Sequence, residues 1–231
     1  MIPALDSLSF TVIILWIIIV GCYLIGGLLF IRQSFKYAEE PRVKILSLVG
    51  LCLILAAISR LFHPVLFIIG DSQPIFSYIS NGIFIAAIIM LVFYLERVIY
   101  PPSHYIFTII LVIGEIVYVI AEIFHNYGVD LIAPGILGLI VPIVIIFAGL
   151  FMAVLYIKIA IQSSGEARKD AIYIIIGGVL FAGSYLLSGL EGVVFALVTG
   201  LEGMNLYLAV SAVILGFLAL PFMLKGFRLS L

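Results

Sequence analysis

The stretch Ile106–Asn126, IFTIILVIGEIVYVIAEIFHN, decides how this chain folds. It is apolar over almost its whole length, yet Glu115, Tyr118, Glu122 and His125 interrupt it at spacings of three, four and three. With the periodicity of an α-helix those four side chains fall on one face. A carboxylate in hydrocarbon is expensive even on mild insertion scales. If the helix crosses a bilayer, the stripe faces protein or water, never lipid.

The rest of the chain supports the bilayer. Of 231 residues, 65% are hydrophobic and 10% charged, whereas a water-soluble domain carries about 25% charged residues. Mean hydropathy is +1.40. The composition describes an integral, multi-pass protein of the cell membrane, with the lipid bilayer as its first partner. The net charge of -1, with no basic cluster able to grip phosphates, excludes nucleic acid as a partner. Cys22 and Cys52 both lie inside apolar runs, so neither staples an exposed loop. Met1–Phe10 contains Asp6 and no basic residue. The apolar run that follows lacks a small-residue cleavage site, so it is expected to stay as a first transmembrane helix.

About 20 residues cross a hydrocarbon core. On that measure the chain holds seven spans: Leu8–Ile31, Ile45–Ile69, Ile75–Leu95, Tyr105–Phe124, Leu131–Ile157, Ala171–Leu187 and Leu206–Leu224. The expected fold is all-α, a single transmembrane domain over residues 1–231 built as a polytopic seven-helix bundle. Arg32, Lys36, Arg42, Lys44, Arg97, Lys158, Arg168, Lys169, Lys225 and Arg228 all fall on one side of these spans. The positive-inside rule makes that side cytoplasmic and leaves the amino terminus outside. Asp6, Asp71, Asp130, Glu191 and Glu202 fall on the other side, as an acidic outer mouth.

The segments Phe30-Ile31-Arg32 to Glu40-Pro41-Arg42 and Tyr156-Ile157-Lys158 to Glu166-Ala167-Arg168 match at a constant offset of 126 residues. Spans one to three then correspond to spans five to seven, with span four as connector, a parallel repeat of the kind some transporters use. Between spans six and seven, Gly189-Leu190-Glu191-Gly192 recurs as Gly200-Leu201-Glu202-Gly203, a candidate outer cap.

One basic residue breaks the topological pattern. Arg60 lies in span two, roughly 14 Å below its outer end, too deep for an ordinary headgroup contact. His63 is three residues on, and Pro64, which has no amide hydrogen, frees the Arg60 carbonyl. Counted from the outer ends, Arg60 lies at a depth between Glu115 and Glu122. The expectation is a buried ion pair between Arg60 and one or both carboxylates, in a polar pocket of the outer half formed by Arg60, His63, Glu115, Tyr118, Glu122 and His125.

Other chemistry is thinly represented. Glu122 and His125 form a single Glu-x-x-His pair, where a di-iron bundle site needs two and zinc wants three protein ligands or more. No nucleophile with a base, phosphate loop or cysteine pair occurs, so neither a metal, a cofactor nor an enzyme is expected. Ser184 and Ser188, four apart on span six, are read as helix packing. The seven spans and outside amino terminus look like a microbial rhodopsin, but that family's Schiff-base lysine has no counterpart, span seven carrying only Lys225 at its inner end. The plan is likewise similar to small sugar-transporting carriers, whose proline-glutamine signatures are missing here. No residue role is carried over from either.

The leading expectation is binding and transport of a small solute, Arg60 attracting an anionic group while Glu115 or Glu122 carries a proton. The alternatives are a seven-helix sensor or receptor read by a separate cytoplasmic protein docked on the basic loops Arg32–Lys44 and Lys158–Lys169, and a purely structural membrane subunit; a second copy of the chain, in a homo-oligomer, is the other candidate protein partner.

Overall fold

The computed structural model describes residues 7–36, 40–69, 74–101, 104–132, 134–189 and 204–227; the side chains of residues 12, 62–69, 74–81, 134–139 and 141–142, and a few at other helix ends, lie outside that description. The described residues form seven helices: α1 Ser7–Ser34, α2 Glu40–Ile69, α3 Pro74–Val98, α4 Ile106–Asn126, α5 Pro134–Gln162, α6 Gly165–Gly189 and α7 Met204–Gly226. They coincide with the seven expected spans and overrun them at the basic, inner ends. There Gln33 and Ser34, or Glu166 to Asp170, continue the backbone ladder beyond the hydrocarbon. Six of the seven are long and apolar enough over their described residues to cross a membrane. In α3 the described side chains begin only at Gly82. The protein is a multi-pass membrane protein. Pro134 is the first residue of α5, where its missing amide hydrogen does no harm, so it starts the helix and does not kink it.

Helices adjacent in sequence pack side by side from α1 to α3 and again from α5 to α7. Two further contacts, α1 on α7 and α3 on α5, close these six into a ring. Because α3 already touches α5, the helix between them is squeezed out: α4 packs against α3 and α5 from outside the ring. At the α1–α2 contact the backbones approach closely. A Cβ at Gly27 would sit 2.7 Å from the Gly50 carbonyl, and one at Gly50 2.8 Å from that of Gly27, which is how small residues let membrane helices meet.

The ring carries the repeat. Shifted by 126, α1 covers residues 133–160, against Pro134–Gln162 for α5. In the same way α2 covers 166–195 against Gly165–Gly189, and α3 covers 200–224 against Met204–Gly226. Exchanging α1 with α5, α2 with α6 and α3 with α7 turns each packed pair of the ring into another packed pair. The pattern of helix contacts is thus unchanged when the two three-helix halves are exchanged, with α4 as linker.

Burial on α4 follows from its place. Ile109, Ile110, Ile113, Ile116, Val117 and Ile120 are exposed, whereas Thr108, Leu111, Tyr118, Ala121 and Glu122 are buried. The polar stripe points at α3 and α5, and the isoleucine face is left for lipid.

Candidate functional site

Arg60 is 3% exposed, on the ring side of α2. Its Nη2 donates to the Tyr185 carbonyl on α6 at 2.7 Å, and its Cζ stands 3.6 Å from the centroid of the Tyr185 ring. The other partner in that stack is Phe84 of α3, whose ring lies nearly parallel to Tyr185 at 3.9 Å. Two groups cannot occupy one face at such distances, so Tyr185 is sandwiched between Phe84 and the guanidinium. The Trp16 ring of α1 adds a further face at 5.8 Å. Ser59 of α2 shares a 3.0 Å hydrogen bond with the Tyr185 hydroxyl.

This arrangement makes a buried guanidinium tolerable. An aromatic face attracts a desolvated cation by about 2 kcal/mol or more. Tyr185 also stands near the end of α6, which finishes at Gly189, so the carbonyls around it carry the negative end of the helix dipole. Ser59 and Tyr185 are 126 residues apart, the offset of the repeat. By that offset they are equivalent positions of the two halves, hydrogen-bonded to each other between α2 and α6.

A second polar link lies beside the first. The Ser184 hydroxyl donates to the Ala212 carbonyl of α7 at 2.7 Å. Its single proton being used there, the Tyr23 hydroxyl of α1 donates to Ser184 Oγ at 2.6 Å. Gly216 makes room, since a Cβ at that position would lie 3.1 Å from Ser184 Oγ. Next to it Cys22, Tyr23, Leu53, Phe181, Gly216 and Leu220 line a narrow crevice with about 10 Å³ of room for the centre of a water molecule. The serine expected to be packing alone is the hinge of a hydrogen-bonded chain through α1, α6 and α7.

The expected ion pair with Glu115 is not what the geometry holds. Among the described residues no salt bridge joins Arg60 to Glu115, and α2 and α4 are not a packed pair. Matching depths were not enough, because α4 lies outside the ring. Glu115 instead lies against α3, where a Cβ at Gly82 would be 3.2 Å from its Oε1. Its Oε2 is buried with no hydrogen-bond partner among the described residues. Tyr118 and Glu122 are buried on the same face. His125, at the outer end, pairs through Nδ1 with Asp130 Oδ1 at 2.6 Å, both side chains partly exposed. The predicted set is therefore divided: Arg60 sits in the ring, and Glu115, Tyr118, Glu122 and His125 lie along the α3–α4–α5 side. The His63 side chain lies outside the described residues, as do Asp71, Glu191, Glu202 and the segment 190–203 expected as a cap. No group of three or more His, Cys, Asp or Glu poised to hold a metal occurs among the described residues.

Sequence reasoning passed over Glu96. Only 1% exposed at the inner end of α3, it accepts the backbone N–H of Phe107 at 3.1 Å and of Thr108 at 2.9 Å, together with the Thr108 hydroxyl. Tyr105, at the start of α4, has φ 62 and supplies no side-chain cap. A carboxylate borrowed from the neighbouring helix does that work and meets the positive end of the α4 dipole. The available signal was an acid on the basic side of the membrane, in sequence just before a helix with threonine in its first turn.

Compared with known proteins, the chain matches no protein-family model, no curated protein and no solved structure.

Proposed function

We propose that this protein binds a small anionic solute at the junction of its two halves and carries it across the membrane, with Arg60 as the recognising cation. The observation that carries the reading is the position of Arg60. A buried guanidinium stands one residue from Ser59, which hydrogen-bonds Tyr185, its equivalent at the repeat offset of 126 in the other half, and the guanidinium itself binds the Tyr185 carbonyl. Carriers made of parallel repeats place their solute sites at the repeat interface inside the bilayer, and ionisable residues at such depth mark solute pathways more often than lipid contacts. Guanidinium matches carboxylate and phosphate geometry with paired donors. In this arrangement the crevice beside Tyr23 is too narrow for a solute. Opening requires the halves to part at the Tyr185 contacts.

Binding is tested first, by the shift in unfolding midpoint of the detergent-purified protein with a panel of small carboxylates and phosphates. A ligand at a hundred times its Kd adds about 2.7 kcal/mol to stability. An anion that stabilises the wild type and fails to stabilise Arg60→Gln supports the reading. Stabilisation equal in both removes Arg60 from the site. An anion that binds through Arg60 but is never transported into proteoliposomes assigns the protein to the receptor class.

A further inference from the structure

We propose that the inward face of α4 is a proton path from the outer surface to Glu115, by way of His125, Glu122 and Tyr118. It goes beyond the carrier reading and does not depend on it. The four groups are separated by three, four and three residues, so successive steps rise about 4.5 to 6 Å along the helix, gaps that a rotamer change or one bridging water closes. The outer end is open: His125 and Asp130, 38% and 54% exposed, form a 2.6 Å pair in contact with the outside medium. The inner end is closed, with Glu115 Oε2 buried and its carboxyl lodged against Gly82 of α3, where a side chain would crowd it.

Among the described residues, α3 and α5 place no charged group beside Glu115. On α5, Val144 lies against Gly114, and the titratable or charged groups described there, Tyr156 and Lys158, belong to the inner end. On α3 the corresponding groups are Tyr94, Glu96 and Arg97. Glu96 is fourteen residues from Gly82, about 21 Å along the helix, and is already committed to the start of α4. The side chain of Tyr78, also on α3, lies outside the described residues. In hydrocarbon a carboxylate with no counter-charge is costly, so at rest Glu115 holds its proton as a neutral acid. The step is a transfer without net chemistry: the proton leaves the Glu115 carboxyl for the Tyr118 oxygen while the Tyr118 hydroxyl passes its own proton to the Glu122 carboxylate, and His125 then takes a proton from Glu122 and releases one to water, leaving Glu115 as the carboxylate. Return of a proton by the same route restores the acid.

The test is infrared spectroscopy of the full chain in lipid nanodiscs, with no solute present, so that its failure is separable from failure of the carrier reading. The wild type shows the carbonyl stretch of a neutral carboxylic acid. Glu115→Gln removes that band, and Glu115→Asp keeps it at a changed frequency, which serves if the glutamine variant does not fold. On transfer to deuterated buffer, exchange at this band slows by about tenfold or more in Tyr118→Phe and in His125→Gln, as removal of a relay group implies. Absence of the band in wild type, its survival in Glu115→Gln without a shift in Glu115→Asp, or exchange unchanged in both relay variants overturns the proposal.

Discussion

Replacing Glu96 by alanine removes an acceptor on which three donors of the next helix converge, and the structure sets the size of the effect. Phe107 N, Thr108 N and the Thr108 hydroxyl all lose their partner. Each buried donor left unsatisfied costs about 1–3 kcal/mol. Thr108 is only 8% exposed and bears the full penalty, whereas Phe107 N is part-buried and regains some contact with headgroup water. Loss of a helix cap alone runs to about 2 kcal/mol at most, so Glu96→Ala is expected to destabilise by about 3 kcal/mol. Glu96→Gln keeps one carbonyl acceptor and loses the charge at the helix end, for about 1 kcal/mol. Combined with Thr108→Val, which deletes one of the three donors, alanine becomes less harmful than additivity implies, by about 1 kcal/mol. The assay is reversible unfolding in mixed micelles followed by circular dichroism, with amide exchange at Phe107 and Thr108 as a local readout. Glu96→Ala within about 0.5 kcal/mol of wild type, the range of an inert surface change, would refute the reasoning.

Other outcomes follow from the same geometry. Ser184→Ala leaves the buried Tyr23 hydroxyl without an acceptor and should cost about 1–3 kcal/mol, whereas Tyr23→Phe leaves the Ser184 bond to Ala212 intact and should cost about 1 kcal/mol or less; unfolding midpoints of the two variants measure the asymmetry. Gly27→Ala sets a methyl against the Gly50 carbonyl backbone, and because backbone cannot swing aside the α1–α2 contact should weaken by about 1–3 kcal/mol, with a longer spin-label distance between the helices. Arg60→Leu combined with Glu115→Gln should be additive within about 0.5 kcal/mol, since no salt bridge joins those residues; a recovery of several kcal/mol in the double variant would restore the ion pair that depth matching implied.

The legible part of the architecture lay in patterns that survive without knowledge of neighbours. Seven apolar runs, the basic residues at their inner ends and the periodicity of Glu115, Tyr118, Glu122 and His125 are local properties, and each reappears in the helices and in the inward face of α4. The offset of 126 read from a few polar residues reappears in the helix boundaries of both halves. What sequence could not supply was which helices touch. Arg60 and Glu115 have suitable depth and charge, yet the α3–α5 contact places α4 outside the ring and sends Glu115 towards Gly82. Three groups around Arg60, the Tyr185 carbonyl and the rings of Tyr185 and Trp16, are invisible to charge matching, because tyrosine and tryptophan in an apolar run read as core. One signal was present: Tyr185 lies one repeat length after Ser59, the neighbour of the anomalous arginine.

The central claim, that a cation held where the two halves meet handles a small anion, is tested most directly by counterflow in proteoliposomes preloaded with the anion that most stabilises the protein. Saturable exchange by wild type, lost in Arg60→Gln at equal reconstitution, is the result expected. Exchange that proceeds equally well with glutamine at position 60 would contradict it.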